Sequence, residues 1–291
     1  MSLLARHVDP ARIHLGRTFV GLEQDGGGVT ASFDTVETVR GDGLIAADGL
    51  RSAVRSRLFG RQVIRYARYT GWRAVLNFPE IPKLAPSETW GRGCRFGIVP
   101  MSRGRIYWFA TRNATEGQRD PAGRTKEAVA QVFQRWPQPI EAVIEAAPED
   151  AILRNDIYDL VPLPHIVQGR VALLGDAAHA TTPNLGQGAC QAIEDSVVIA
   201  ACLRTAERVQ PGLLAYESRR MPRVTQVYRR SRNMGVVAQL QNPAACWLRN
   251  SIMRTAPNGA ALRQMQSLVG VEVLEPAERA LFAAIPSTLP K

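Results

Sequence analysis

The sequence predicts an α/β chain, α+β in overall layout: a strand–loop–helix ligand unit interrupted by a mainly antiparallel sheet and followed by C-terminal helices. Three observations carry this reading. Two short apolar runs, "GLIAAD" (43–48) and "GRVALLGD" (169–176), each end in an acid, as buried strands entering ligand loops do. Between them, residues 62–155 alternate strand-like segments with Pro/Gly-rich connectors. Beyond residue 187 the pattern is almost wholly helical.

Taken in order, residues 12–40 read as strands folded at Asp25-Gly26-Gly27-Gly28, with Val29, Ala31 and Phe33 alternating as in a half-buried strand. "GLRSAVRSRLFG" (49–60) reads as a short helix. "YTGWRAVLNF", "CRFGIVPM" and "RIYWFATR" read as strands of the inserted sheet, with one helix at roughly 124–147. Glycine and proline predict helix breaks at Pro211-Gly212, Asn242-Pro243 and Pro257-Asn258-Gly259. The expected division is 1–60 and 156–206 for the ligand unit, 61–155 for the inserted sheet, and 207–291 for a helical region.

Composition removes several classes of function. At 45% hydrophobic and 21% charged, the 291 residues match a soluble globular protein, and no run reaches the ~18 apolar residues of a membrane span. The N-terminus carries no secretory pattern, so the expected location is cytoplasmic. Cys94, Cys190, Cys202 and Cys246 form no CxxC pair and are expected as free thiols, without metal. The net charge of +10 raises a nucleic-acid reading, but the arginines are dispersed and lack an aromatic stacking platform. The densest cluster, "YESRRMPRVTQVYRRSR" (216–232), is expected as a solvated face bearing Arg219, Arg223 and Arg230.

Two segments imitate the dinucleotide fingerprint GxGxxG/A. Gly26–Ala31 and Gly41–Ala46 match its spacing, but strands follow both, so the first is expected to be a hairpin turn and neither a true fingerprint. The chemistry-bearing stretch is "LLGDAAHATTPNLGQGACQAIED" (173–195). Asp176 ends a strand where α/β sheets bind ligands, and Gly186-Gln187-Gly188 open a helix. Ala189, Ile193, Val197 and Ala200 form an apolar stripe at helical spacing. Free N–H groups at such a terminus favour negative charge, and glycines let a flat ring approach the backbone. Reduced flavin, anionic at N1 and the C2 carbonyl, suits such a site. In "IAADGLRSAVR", Asp48 with Gly49 forms a second acid-bearing turn.

These two stretches resemble the downstream FAD motifs of the FAD-dependent aromatic monooxygenases, of para-hydroxybenzoate hydroxylase-like fold. "NLGQGACQAIEDS" and "ETWGRGCRFGIVPMSRGRIYW" resemble the urate hydroxylase and zeaxanthin epoxidase branch. The resemblance covers roughly residues 3–255 and implies that the ligand unit is an incomplete FAD-binding Rossmann-like domain. It implies Asp176, with Gly175, at the flavin ribitol. Pro183 would lie beside the ring, and Gly186, Gln187, Gly188, Ala189 and Cys190 at the pyrimidine edge. Asp48 and Gly49 would support the ribityl-pyrophosphate region, and Phe19 would touch adenine. Arg95 and Tyr107, twelve residues apart, match the substrate-pocket pair of urate hydroxylase-like members, whereas Asn184 replaces an acid of their flavin-side loop. The resemblance implies NADH or NADPH as co-substrate, and O2 transferred through a flavin C4a-hydroperoxide to an aromatic, heteroaromatic or alkene small molecule. Family members begin with a strand–GxGxxG–helix unit that has no counterpart here. An N-terminally truncated member is therefore expected, either coded further upstream or a remnant needing a separate N-terminal half. Association with that half or as a homo-oligomer is among the expected partnerships.

Overall fold

The computed structural model describes residues 5–78, 85–255, 273–276 and 278–279. Its first layer is an antiparallel meander of β1 (Phe19–Asp25), β2 (Gly28–Phe33) and β3 (Thr38–Gly41). Asp25 Oδ1 accepts from the Gly27 and Gly28 N–H groups at 2.7 and 2.9 Å, so the first GxGxxA segment is the expected hairpin turn. The second leads into β4 (Leu44–Ala46) and is likewise no phosphate loop. Strand character begins only at Phe19; residues 10–12 form a short 3-10 turn and 13–18 no strand, against the expectation of strand from residue 12.

β4 pairs in parallel with β11 (Val171–Leu173), which also pairs antiparallel with β10 (Val167–Gln168). After β4 comes the short α1 (Ala53–Phe59). The inserted sheet has strand order β6 (Ser87–Trp90), β7 (Cys94–Met101), β8 (Arg105–Asn113), β5 (Ile64–Asn77), β9 (Leu153–Leu160), antiparallel throughout. The single helix expected at 124–147 is two: α2 (Thr125–Val132) and α3 (Ile140–Ala146). Pro137 and Pro139, lacking N–H groups, separate them.

The chain then runs through α4 (Asp176–His179), α5 (Gly188–Thr205), α6 (Val209–Ala238) and α7 (Pro243–Thr255). The break lies at Ala206–Arg208, not at Pro211-Gly212. Pro211 occupies the first turn of α6, where its missing N–H has no intrahelical partner to lose. Asn242-Pro243 does mark a break, and Pro257-Asn258-Gly259 lies outside the described residues.

Two apolar cores result. One gathers Val54, Val171, Leu173, Ala177, Val198, Ile199 and Leu213 around β4, β11 and α5. The other packs Phe96, Ile98, Ile106 and Trp108 of β7 and β8 against Val129, Phe133, Val143 and Ile144 of α2 and α3. The 30 residues of α6 link them over ~45 Å. Near its start Tyr216 Oη donates to Leu173 O at 3.0 Å; just past its end Gln239 Nε2 donates to Thr111 Oγ1 at 2.9 Å.

Two surface expectations fail. The stripe Ala189, Ile193, Val197, Ala200 is not the packed face of α5: Ile193 is 63% exposed, while Gln191, Asp195, Val198, Ile199 and Cys202 point inward. Polar groups take the inward face because each finds a partner there. Nor is the 216–232 cluster a solvated face: Arg219 pairs with Glu278, and Arg220 and Arg223 both pair with Glu194.

Candidate functional site

Both acid-bearing loops leave the C-terminal ends of neighbouring parallel strands, because Leu173 of β11 is registered with Ala46 of β4. Asp48 Oδ2 accepts from the Ala53 and Val54 N–H groups at 2.9 and 3.2 Å, and Ser52 Oγ from Arg55 N at 2.9 Å, so the pair caps α1. Gly49 takes φ +78°, which its lack of a Cβ permits. Arg55 fastens this loop to the next: its guanidinium donates to Leu50 O at 2.6 Å and Ala177 O at 2.8 Å. Burial lowers the Arg55 pKa, opposed by the nearby Asp48 carboxylate.

Asp176 is exposed at the start of α4. Gly175 before it is buried, and a Cβ there would come within 3.1 Å of Ala192 on α5. What holds this turn is Asp195, whose side chain is fully buried. It accepts from Gly175 N at 2.9 Å, faces His179 Nε2 at 2.6 Å and pairs with Arg220 Nε at 2.6 Å. Burial alone would raise the Asp195 pKa, but His179 and Arg220 hold it below its ordinary value. His179 is thus a loop hydrogen-bonder.

At the N-terminus of α5, Gln187 occupies the cap position, but its side chain accepts from Gln191 Nε2 at 3.4 Å and caps none of the helix's first N–H groups. The Gly188, Ala189 and Cys190 N–H groups have no partner among the described residues. Gly186 takes φ +63°, and neither its Cβ position nor that of Gly188 has anything within 4 Å. The donors and the open surface fit the anionic edge of a flat ring.

This loop forms one wall of a cavity of about 560 Å³, lined by Pro183, Asn184, Leu185, Gly186 and Gln187. The inserted sheet forms the other. Strand alternation puts Phe96, Ile98, Ile106 and Trp108 into the core and leaves Arg95, Val99, Tyr107, Phe109 and Thr111 facing the cavity. Gly97 lets the Phe109 ring lie against β7, since a Cβ there would overlap ring carbons Cε1 and Cζ. Arg95 is 2% exposed; it pairs with Glu88 at 3.0 Å, donates from Nε to Thr111 Oγ1 at 3.2 Å, and donates to Asn184 Oδ1. Burial pushes the Tyr107 and Tyr69 hydroxyls up from the usual phenol range.

Asn184 joins the two walls. Its Oδ1 also accepts from Tyr69 Oη at 3.1 Å, and its Nδ2 donates to Thr182 Oγ1 at 2.8 Å and Ser231 O at 2.9 Å. Gly235 on α6 makes room for it, because a Cβ there would overlap Asn184 Nδ2.

A sequence profile of the FAD binding domain family matches residues 2–231. The chain belongs to this family. Among curated relatives of this FAD binding domain chain, aurachin C monooxygenase/isomerase of Stigmatella aurantiaca is 43% identical over 87% of this chain and 66% of that protein. FAD-dependent urate hydroxylase of Klebsiella pneumoniae is 36% identical over 76% of this chain and 58% of that protein. The chain thus spans less than two thirds of either. The solved structure of Klebsiella pneumoniae HpxO complexed with FAD and uric acid superposes with a TM-score of 0.82 at 31% identity, over 87% of this chain and 66% of that one. A salicylate hydroxylase substrate complex, 22% identical over 96% of this chain and 73% of that one, shares the fold with a TM-score of 0.75.

Of the residues singled out in the sequence, Arg95, Tyr107, Pro183, Gly186 and Gln187 line one cavity. Gly188, Ala189 and Cys190 form the helix start beside it. Asp48, Gly49, Gly175 and Asp176 cluster at the parallel strand ends instead. Phe19, half-buried, packs on the first core and does not line the cavity. Asp195, Arg220, Arg55, Glu88, Gly97 and Gly235 escaped the sequence reading. Only the "IED" that closes the motif, with Asp195 two turns into α5, hinted at one of them.

Proposed function

We propose that this chain carries the flavin-ring side and the substrate pocket of an FAD-dependent monooxygenase of hydroxylase or epoxidase type, using NADH or NADPH and O2. The observation that carries this is the shared cavity: an uncapped helix start with open glycines on one wall, and a buried arginine with a tyrosine on the other. When bound, FAD supplies the redox chemistry that couples the nicotinamide to O2 and the substrate.

The chain's residues take the remaining tasks. The N–H groups of Gly186–Cys190 hold the anionic edge of the ring, and Pro183 lies along it. Gly175-Asp176 takes the ribitol, while the Asp48-Gly49 turn, capping α1, supports the ribityl-pyrophosphate side; Phe19 marks the adenine side. Tyr107 and Arg95 orient the substrate, and the apolar wall of Val99, Phe109, Leu185, Ile157 and Met234 keeps water out. On this reading the cofactor-facing unit falls within 1–60 and 156–206, the substrate sheet within 61–155, and α6 and α7 are the described helices of the C-terminal region from 207. β4 is paired on one side only among the described residues, which leaves its other edge open for pairing.

The substrate is a flat, uncharged, largely apolar ring or alkene. Arg95 already faces Glu88, so it offers hydrogen bonds without an uncompensated charge, and Asn184 supplies no acid. A urate-like anion fits this wall poorly. Titration of the protein with FAD, followed by flavin absorbance and fluorescence, tests the cofactor reading. Uptake at micromolar FAD that is weakened by Gly188→Val supports it. No uptake, with or without a complementary strand–GxGxxG–helix segment, refutes it.

A further inference from the structure

A second cavity, of about 500 Å³, lies between β5 of the inserted sheet and α6, and shares only Asn184 with the first. Its floor is an irregularity in β5. Between Tyr66 and Thr70 the register with β9 shifts, and Arg68 takes φ +67°. A bulge of this kind re-aims side chains and recurs beside binding sites.

The charge of this cavity is one-sided. Arg65 and Arg232 both converge on the fully buried carboxylate of Asp159, Arg65 in bidentate fashion at 3.0 and 2.9 Å and Arg232 at 3.1 Å. Arg68 lines the same cavity and makes no ion pair or side-chain hydrogen bond among the described residues. Three guanidiniums therefore line the cavity and no carboxylate does; Arg65 and Arg232 are met by Asp159 behind the lining. The other lining groups, including Tyr66, Tyr69, Asn113, Thr182 and Gln239, are uncharged. Guanidinium forks match the oxygens of phosphate in geometry as well as charge.

We propose that this cavity is a binding site for a phosphate oxyanion, with Arg68 as its free cation and Arg65 and Arg232 as the wall that Asp159 holds in place. The site is separate from the flavin-facing cavity and stands whether or not the monooxygenase reading is right. The phosphate has two sources of the same chemistry: the 2′-phosphate of a nicotinamide dinucleotide, or a free phosphate or pyrophosphate.

The test is binding to the full chain by isothermal titration calorimetry at fixed ionic strength, with inorganic pyrophosphate, adenosine 2′-phosphate, NADPH and NADH as separate probes. Arg68→Ala removes a surface-accessible guanidinium that holds no other element, and is expected to weaken the bound probe about tenfold or more, the loss of one charge-assisted contact. Arg232→Ala, which leaves Arg65 on Asp159, is expected to do the same, and Arg68→Lys to recover part of the loss. NADPH binding that is Arg68-dependent while NADH binding is not assigns the dinucleotide as the source; pyrophosphate binding without that discrimination assigns the free anion. No saturable heat with any phosphate probe overturns the proposal. So does affinity unchanged in both alanine variants, or heats reproduced by chloride at equal ionic strength.

Discussion

Replacing Gly235 by alanine tests whether the flavin-side loop is held by α6. In an unobstructed helix interior this change stabilises by about 1 kcal/mol, because alanine loses less backbone entropy on folding. Here the added Cβ overlaps Asn184 Nδ2 and comes within 3.3 Å of its Cγ, so the amide must move. Movement breaks at least the two bonds its Nδ2 donates, to Thr182 and Ser231, at about 1 kcal/mol each. If its Oδ1 leaves Tyr69 and Arg95 as well, a further ~1 and ~1.5–3 kcal/mol are lost. Against the helix gain, the net loss is about 1 kcal/mol at least and about 5 at most. At 2–4 °C per kcal/mol for a chain approaching this size, Tm falls by at least about 2–4 °C in a thermal unfolding scan. The cycle with Asn184→Ala supplies the control. With the amide gone, Gly235→Ala becomes neutral or stabilising, giving a coupling energy above ~1 kcal/mol. A rise in Tm for Gly235→Ala alone, or the same loss in the Asn184→Ala background, refutes the reasoning.

Asp195→Asn keeps the shape but removes the charge that faces buried Arg220 and holds Gly175; because Glu194 remains on Arg220, the loss is about 3 kcal/mol in urea unfolding, and a loss under ~1 would show the network to be idle. The pH dependence follows in sign. The folded-state pKa of Asp195 lies below its ordinary 3.8, and that of Glu194, buried but bonded to Arg223 and Arg220, below 4.5. Their stabilisation is therefore present above those ordinary values and is lost as pH falls through the lower folded ones, and Asp195→Asn flattens that acid limb. Gly97→Ala forces the Phe109 ring into the pocket, and overpacking of about 1–3 kcal/mol corresponds to roughly a 5- to 150-fold weaker affinity for a flat aromatic ligand, read by equilibrium binding.

The elements legible in the sequence were those whose pattern depends on near neighbours. Val29, Ala31 and Phe33 alternate because one face of β2 is covered, and Asp25 followed by three glycines can be little else than a turn. The motif at 173–195 was legible for a similar reason: an acid after a buried strand, with glycines before a helix, describes a single local geometry. Expectations failed where a distant partner decides the outcome. The inward face of α5 carries Gln191 and Asp195 because Arg220, some 25 positions on in α6, meets them, and an apolar count along α5 alone points to the opposite face. The arginines at 219–223 looked solvated because their acids, Glu194 and Glu278, lie in other segments.

The same dependence on remote contacts explains why the residues that line the candidate cavity were nameable in advance and the residues that hold them were not. Arg95 and Tyr107 were readable only through the resemblance to urate hydroxylase-like members, whose substrate-pocket pair has the same twelve-residue spacing. Nothing near Arg95 in the sequence says that its charge is met by Glu88 across a strand pair and its direction by Asn184 on the flavin-side loop. Since Asn184 is in turn seated by Ser231 and by the gap at Gly235, the pocket's two walls are tied through α6, which contributes only Met234 to the cavity itself. A substitution on the inner face of that helix therefore reaches both the ring-binding loop and the substrate arginine, whereas one on Ile193 or Val236, exposed on its helix, reaches neither.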